Sequence, residues 1–446
     1  MSARRCLIAT SMTKACHSSC SQIHAACQNA GELEWASASA VEARIELDLR
    51  IGASFTRLQS LRLQGNFAEL DNQVVSYGPC QFPTLGFVVD RYEKVKSFIP
   101  EQFWYIHLEH KVDLPNQSGR GARAKTTVTF LWDRQRLFNK QMAMLLFEHC
   151  RDAKTAEVTR ITRKPTRKFK PYPLTTVELQ KAGSRLLKLA PKRVLDIAES
   201  LYQKGFLSYP RTETDQYDKE FDFHPLIEKQ HRDGSWGTFA QSLTGRNFER
   251  PRLGRKNDQA HPPIHPTSYA TGLTGDDKRV YEFVTRRFLA SCSKDATGQQ
   301  TTVVAQMGEE AFHMTGIVVQ ERNYLDVYPY DKWETNVLPE YNEGDIFTPS
   351  SCTLKEGETS PPKLLTEADL VSLMDKNGIG TDATIAEHIA KVIERMYVMK
   401  IKQGDTDYLV PSTLGIGLVE GYNRVDLDKS LSKPFLRREV SRILSF

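Results

Sequence analysis

The 446-residue sequence lacks the run of roughly 18 consecutive apolar residues that a membrane-spanning helix needs. It also lacks an excess of one charge, because 60 Lys and Arg stand against 55 Asp and Glu, a net charge of +5. The first absence argues against an integral membrane protein. The second means that the distribution of charge along the chain tells more about its partners than the total does.

Cysteine is scarce after residue 27. The rest of the chain has only Cys80, Cys150, Cys292 and Cys352. Scattered thiols without a secretory signal exclude a disulfide-stapled peptide and indicate a reducing compartment such as cytosol or nucleus. The N-terminal cysteines contain no CxxC pair and fit no zinc template. We interpret residues 1–21 as an unmatched segment. Its acid-free, serine-rich composition is that of a mitochondrial presequence, and a non-native start is the simpler explanation.

Hydrophobic periodicity predicts helices and strands in a mixed, multidomain chain. A helix from about Ala40 carries an apolar stripe of Val41, Ile45, Leu49 and later Phe55 beside a basic face. β-Branched and aromatic residues over 126–132 predict strands in the region that follows. Capping boxes that start at Thr175 and Thr384 then predict further helices.

A basic run follows the predicted strands. Residues 151–173 carry eight Lys or Arg against two acids, and we interpret them as a basic linker. Such a run is commonly a solvated face. The interleaved Phe169 and Tyr172 also suit a nucleic-acid backbone, so Lys168 and Lys170 are candidates for DNA contacts.

Tyr209 is a candidate nucleophile. It lies just past a predicted helix end, and Pro210 fixes the backbone between it and Arg211. A phenol with a pKa of about 10 attacks poorly until nearby positive charge stabilises its phenolate. Arg211 can supply that charge and can hold a phosphate, so the spacing suits attack on a phosphodiester. The competing interpretation is a structural tyrosine in a turn.

Two further motifs, the histidine pair at 261 and 265 and the glycine-rich segment 378–382, each have a structural and a functional interpretation. His261 and His265 stand four residues apart, but the prolines around them forbid the helix that a zinc pair would need. Five nearby Lys and Arg residues make phosphate contact an alternative to a structural role. The glycine-rich segment 378–382 offers backbone amides at a helix start, either as an anion cradle or as a plain turn.

Together these residues resemble the motifs of type IA DNA topoisomerases, and are most similar to the eukaryotic topoisomerase III group, in its alpha form. The resemblance covers about 22–446. The matching stretches occur in the family's order and are Glu46–Arg57, Ser76–Gly86, Ser208–Thr214, Asp258–Thr267, Asn323–Tyr330, Ser360–Leu370 and Asn377–Thr384.

The resemblance implies a multidomain α+β fold with a toroidal body of helical domains and a β-rich arch. We expect a helical DNA-groove domain at 22–98, completed by 358–446. The arch is expected at 99–174, with its return at 299–357. The helical domain that carries the catalytic tyrosine then spans 175–298.

The resemblance also implies roles for individual residues. Tyr209 cleaves one DNA strand to form a 5′-phosphotyrosine, Arg211 holds the scissile phosphate, and His261 lies beside it. The single-strand groove is lined by residues that include Arg44 and Asp48. The remaining expected DNA contacts are Gln81, Arg57, Lys168, Lys170, Thr212, His265, Thr381 and Asp382.

The family's Mg²⁺ is held by a Toprim domain that this sequence does not match. The two Asp-x-Asp pairs, at Asp405 and Asp426, fall near the C-terminus, where we interpret them as chance. We therefore expect a nuclear topoisomerase fragment, or less simply a mitochondrial form, that relaxes DNA poorly alone. Its implied partners are single-stranded DNA, a RecQ-type helicase and an OB-fold protein. The rival interpretation is a non-catalytic single-stranded DNA-binding or scaffold protein.

Overall fold

The computed structural model describes residues 28, 35–113, 125–336, 338–425 and 430–443. The four N-terminal cysteines, the unmatched segment 1–21 and the pair Asp426 and Asp428 lie outside the described residues. No helix in the described part of the chain is both long and apolar enough to cross a membrane.

Twelve α-helices occur in the described residues. They are α1 Trp35–Leu63, α2 Gln81–Lys96, α3 Lys140–Ala153, α4 Thr176–Leu186, α5 Pro191–Gln203, α6 His224–Lys229, α7 Gly237–Leu243, α8 Gly275–Ser291, α9 Glu367–Lys376, α10 Ile385–Glu394, α11 Thr413–Arg424 and α12 Pro434–Ile443. Short 3₁₀ turns cover Ala68–Leu70, Gln230–Arg232 and Asn323–Asp326.

The described strands form two antiparallel sheets. They are β1 Gln102–Asp113, β2 Lys125–Trp132, β3 Ala156–Lys168, β4 Ala296–Met307, β5 Glu310–Glu321, β6 Ile346–Phe347, β7 Ser351–Glu358, β8 Val398–Gln403 and β9 Thr406–Pro411. Seven of them pair in the order β6-β3-β4-β5-β2-β1-β7, and β8 and β9 form a separate hairpin. The mixed helix-and-strand fold class is confirmed.

Three hydrophobic cores organise the chain. The first core packs α4, α5 and α8 with the segment around residue 207, and it supports Tyr209. The second core packs α2, α9, α10 and α11 with the β8–β9 hairpin. The third core lies between the seven-stranded sheet and α3. Val177 of α4 belongs to the second core although its helix carries the first, so α4 joins the two.

The basic run is a strand and not a linker. β3 pairs with β4 from Glu157 to Lys168, whereas its other edge pairs with β6 only at residues 156–157. A strand with an open edge is protected from pairing with another chain by charge and by proline. The exposed Arg163, Lys164 and Pro165 on this strand provide both.

The predicted apolar stripe of α1 is buried only at its C-terminal end. Val41, Ile45 and Leu49 are all more than half exposed. Phe55, the last residue of the stripe, packs on the second core together with Ile51. Arg44 and Asp48 lie on this inward side, where Asp48 meets Arg437 at 2.6 Å.

The contact between α4 and α5 gives a prediction about stability. A Cβ on Gly183 would lie 2.4 Å from Cγ2 of Val194, so Gly183→Ala should lower the free energy of unfolding by about 1–3 kcal/mol. Thermal unfolding followed by circular dichroism measures this. Because Val194→Ala removes the clashing atoms, the double variant should be less destabilised than the sum of the two single variants.

Gly421→Ala is the matched control, since nothing lies within 4 Å of a Cβ at that position in α11. It should raise stability by about 0.5–1 kcal/mol. A Gly183→Ala variant as stable as the parent, or strict additivity with Val194→Ala, would contradict the packing described.

Candidate active site

Tyr209 lies on a short segment that leaves the end of α5. Gly205 ends the helix with a φ of +78°, a backbone conformation that residues with a Cβ rarely adopt. Leu207 then pairs with Pro266, and the Ser208 N–H donates to the His265 carbonyl over 2.9 Å. The two residues before Tyr209 are therefore held in place by the segment around His265.

The buried hydroxyl of Thr176, at the start of α4, fixes the chain beyond Tyr209. Its Oγ1 lies 2.8 Å from the Pro210 carbonyl and 3.0 Å from the Thr212 carbonyl, and it accepts the Thr212 N–H over 2.7 Å. The predicted capping box is present in one of its two hydrogen bonds, because the Thr175 side chain accepts the Glu178 N–H, whereas the Glu178 carboxylate bonds Lys181. Residues 210–212 are thus hydrogen-bonded to the first turn of α4.

Two rings surround the phenol of Tyr209. The His261 ring lies 4.7 Å from it between centroids, and the Tyr202 ring lies 5.3 Å away in an edge-on orientation. His261 is itself positioned by Asp258, whose Oδ1 accepts the N–H groups of Ala260 and His261, both over 2.9 Å. The sequence therefore brings Tyr209 and His261 together although 52 residues separate them.

Asp258 is held in its charged form. Burial opposes its ionisation, but hydrogen bonds from the backbone N–H groups of His261 and Ala260 and from neighbouring threonine hydroxyls outweigh the burial and lower its pKa. Its second oxygen lies 3.8 Å from Nδ1 of His261. The carboxylate therefore places negative charge beside the imidazole ring of His261.

Arg211 is paired with Glu199 of α5 through its Nε. This hydrogen bond is the main cause of a raised pKa for Arg211, which burial only partly opposes. The pair orders the guanidinium next to Tyr209 while its outer nitrogens can still bind an anion. A permanent cation beside the phenol is the condition under which a tyrosine becomes a nucleophile.

The glycine-rich segment 378–382 docks against the same helix start. Oδ2 of Asp382 lies 3.2 Å from Oγ1 of Thr176, and the Asp382 carbonyl accepts Nε2 of Gln180 over 2.9 Å. The predicted capping box at Thr384 is wrong, because its hydroxyl accepts the Thr381 N–H and caps no N–H of α10. The Thr381 N–H is therefore not available to bind an anion. The exposed Thr381 could contact DNA only through its side chain.

A second cluster of polar groups lies around Asp48 on α1. Asp48 meets Arg437 of α12, and Gln81 at the start of α2 meets Arg395 after α10. His388 of α10 shares this site, since burial first and then the charge of Arg437 lower its pKa to about 4. Arg57 lies further along α1 and is exposed.

The expected DNA contact of Lys170 is wrong. Its side chain is buried, and Nζ donates to the carbonyls of Glu249, Arg250 and Ser293 over 2.7–3.2 Å. An ammonium group with this set of partners cannot reach a phosphate. Lys168 is half-buried and bridges to Asp331, which also reduces what it can offer to DNA.

His265 and Thr212 are also buried, which contradicts a direct contact with DNA. Nδ1 of His265 bonds the Pro263 carbonyl at 2.7 Å. The Thr212 hydroxyl donates to Asp258 over 3.0 Å. Both side chains therefore support the loops that carry Tyr209 and His261 and do not face a ligand.

Four residues of the site were not predicted from the sequence, namely Thr176, Glu199, Asp258 and His388. Of these four, only Asp258 could have been found from local sequence. An aspartate at the start of a proline-rich loop commonly forms a turn by accepting the next backbone N–H groups. The other three acquire partners only through contacts between distant segments.

The described residues do not fit the Mg²⁺ that the family implies. No group of three or more His, Cys, Asp or Glu in the described ranges is placed to hold a metal ion. Asp405 and Asp407 line a cleft of about 790 Å³ whose other two carboxylates, Glu367 and Asp369, are paired with Lys400 and Arg185, so these carboxylates already have cationic partners. We therefore assign no step of the chemistry to a metal.

The family is established by comparison with known sequences. The profile of the DNA topoisomerase family matches residues 32–445, and the fold is of the type IA class. The chain belongs to this family, which confirms the resemblance drawn from the motifs.

Within the family, the chain is similar to eukaryotic topoisomerases 3. It is 48% identical over 410 residues to DNA topoisomerase 3 of Schizosaccharomyces pombe, covering 90% of this chain and 64% of that protein. It is also 48% identical over 419 residues to human DNA topoisomerase 3-alpha, covering 94% of this chain and 40% of that protein. The chain thus spans less than two thirds of the length of these relatives.

The fold is similar to that of full-length topoisomerase I from Thermotoga maritima. The two chains are 22% identical with a TM-score of 0.69, and the match covers 96% of this chain and 67% of the other. At this identity the likeness concerns the fold alone.

The lowered pKa of His388 predicts a pH dependence. Its pKa is about 4 in the fold and about 6.5 in an unfolded chain, so the unfolded chain binds the extra proton between these values. Stability should therefore fall as the pH drops from 6.5 to 4, by up to about 3 kcal/mol from this residue. Thermal unfolding across this range should show a shallower pH slope in His388→Gln than in the parent.

The control is His224→Gln, in α6 at an exposed position with other neighbours, which should leave the slope unchanged. Equal slopes for the parent and for His388→Gln would contradict the burial of a neutral imidazole at this site.

Proposed function

We propose that this chain is the strand-cleaving part of a topoisomerase III-like enzyme that cuts and rejoins one DNA strand through Tyr209. The whole enzyme relaxes negative supercoils and resolves recombination intermediates without ATP, and we expect this chain alone to relax DNA poorly. The observation that carries the proposal is that the Tyr209 phenol packs against His261, two residues before an Arg211 that is held by Glu199.

The reaction is a transesterification. The Tyr209 oxygen forms a bond to phosphorus, and the bond from phosphorus to the 3′ oxygen of the neighbouring nucleotide breaks. The phenolic proton leaves the nucleophile, and the departing 3′ oxygen gains a proton. Religation reverses both changes. Since one phosphodiester replaces another, no net hydrolysis occurs and no external energy source is required.

Each neighbour of Tyr209 has a separate task in this proposal. Arg211 binds the scissile phosphate and stabilises the phenolate, while Glu199 holds the guanidinium in place before DNA arrives. His261, fixed by Asp258, contacts the phosphate or moves a proton near it. The clamp of Thr176 on residues 210–212 keeps the phenol and the guanidinium in one geometry, which is worth a large part of the rate.

In this proposal the single strand binds in the groove around α1. Arg44, Asp48 and Gln81 lie on the elements of the second core, and the segment 378–382 joins that core to the Tyr209 loop. A strand bound along α1 would therefore lead toward the phenol. An unpaired strand suits this path, since its bases can turn aside from the backbone.

The cellular setting is proposed from the family. The chain acts in the nucleus, where a RecQ-type helicase supplies single strands and an OB-fold protein assists. The similarity to eukaryotic topoisomerases 3 supports a nuclear protein, whereas the helicase and the OB-fold protein are proposed from the motif resemblance alone.

The nucleophile is tested by substitution. Tyr209→Phe removes only the hydroxyl oxygen, so it should abolish covalent attachment to DNA and leave binding nearly unchanged. Arg211→Ala should weaken both, and attachment by about 10²–10³-fold. The chain is incubated with an end-labelled oligonucleotide, alone and fused to the part of the Schizosaccharomyces pombe relative that it does not cover.

Tyr202→Phe is the matched control, because its ring also contacts Tyr209 but is not the proposed nucleophile. It should retain the adduct. Label that stays attached to Tyr209→Phe after denaturation would exclude Tyr209. An adduct in neither form of the parent protein would favour the rival function of a non-catalytic DNA-binding or scaffold protein.

The groove predicts a preference for single strands. Fluorescence anisotropy should show tighter binding to single-stranded than to duplex DNA, with affinity falling steeply as salt rises. Arg57→Ala should remove one phosphate contact and so reduce the magnitude of the slope of log affinity against log salt by about 1. Arg322→Ala, at an exposed arginine after β5, should leave the slope unchanged. Equal affinity for both DNA forms at every salt concentration would rule the groove out.

A further inference from the structure

An exposed cluster of aromatic rings and arginine lies where the seven-stranded sheet meets the first core. Phe169 and Tyr172 follow β3 directly, and 59% and 40% of their respective surfaces are exposed. Arg252 lies over both rings, 3.9 Å from the Tyr172 centroid and 4.9 Å from that of Phe169. None of these residues belongs to the site around Tyr209.

The arginine is fixed in this position. Its Nη2 donates to the Tyr172 hydroxyl over 2.7 Å and its Nη1 to the Lys170 carbonyl over 3.2 Å. The Tyr172 carbonyl in turn accepts Nε of Arg287 over 3.0 Å. A planar guanidinium that is already stacked and hydrogen-bonded loses little freedom when a ligand arrives.

The loop that carries Arg252 is anchored on both sides of it. The buried Lys170 ammonium holds the carbonyls of Glu249 and Arg250. Past Arg252, the Asp215 carboxylate accepts the Lys256 N–H over 2.8 Å. This arrangement gives the buried Lys170 a purpose, which is to hold the loop against the aromatic rings.

We propose that Phe169, Tyr172 and Arg252 form a stacking platform that binds an unpaired base of single-stranded DNA outside the α1 groove. Aromatic rings and guanidinium planes are the surfaces on which unpaired bases stack. The exposed Arg163, Lys164 and Arg255 nearby in sequence carry charge that attracts the phosphates.

The platform lies near the cleavage site along the chain. Only four residues separate Tyr172 from Thr176, a distance of at most about 14 Å, and Thr176 contacts the backbone at Pro210. The loop of Arg252 continues directly to Asp258 and His261. A strand that passes Tyr209 is therefore within reach of the platform, so the inference rests on the proposed function.

The test uses the full chain and single-stranded oligothymidine in anisotropy titrations. Phe169→Ala should weaken binding by about tenfold, whereas Phe169→Trp, which keeps a stacking face, should bind as the parent does. Phe138→Ala is the matched control, because Phe138 is similarly exposed but lies elsewhere on the chain. It should have no effect.

A photocrosslink locates the contact. Oligothymidine that carries 5-bromodeoxyuridine should crosslink to the peptide containing Phe169 and Tyr172, and Phe169→Ala should reduce this crosslink. If Phe169→Ala binds oligothymidine as the parent does and no crosslink forms there, the platform is overturned. The same holds if the variant loses only binding to a polyglutamate peptide, which would assign the surface to an acidic protein partner.

The two proposals fail in different ways. A parent chain that binds no single-stranded DNA contradicts the proposed function. A parent chain that binds DNA with no contribution from Phe169 contradicts the platform alone.

Discussion

The hydroxyl of Thr176 is the contact on which the arrangement around Tyr209 depends. This buried atom joins the first turn of α4 to the backbone at Pro210 and Thr212 and lies against the carboxylate of Asp382. It thereby connects the first core, which supports Tyr209, to the second core, against which α1 packs. A buried hydroxyl that loses such partners pays the full cost of desolvation, so the segments are held together strongly.

Two carboxylates organise the charge on either side of the phenol. Glu199 orders the guanidinium of Arg211, and Asp258 orders His261 through the backbone as well as through its nearby charge. Arg211 and His261 are thus both oriented before DNA binds. Since the reaction places negative charge on the phosphate and on two oxygens, groups that need no reorganisation contribute most to lowering the barrier.

The sequence predicted the chemistry of the site better than its surroundings. The motif around Tyr209 and the helix start at Thr175 follow from local signals, and the structure places Tyr209 and His261 together. Burial was not predictable, because Lys170 and His265 look like DNA ligands by type and become internal anchors only through long-range contacts. The same holds for Thr176 and Asp382, which are 206 residues apart. Likewise, the exposed side of α1 cannot be inferred from its apolar spacing.

The central claim is that the Tyr209 oxygen becomes bonded to the 5′ phosphate of DNA. Trypsin releases Tyr209 in the peptide Gly205–Arg211, since Lys204 and Arg211 flank it. Tandem mass spectrometry of the trapped and nuclease-trimmed complex should find this peptide with a nucleotide on the tyrosine. A nucleotide on any other residue, with Gly205–Arg211 recovered unmodified, would contradict the account.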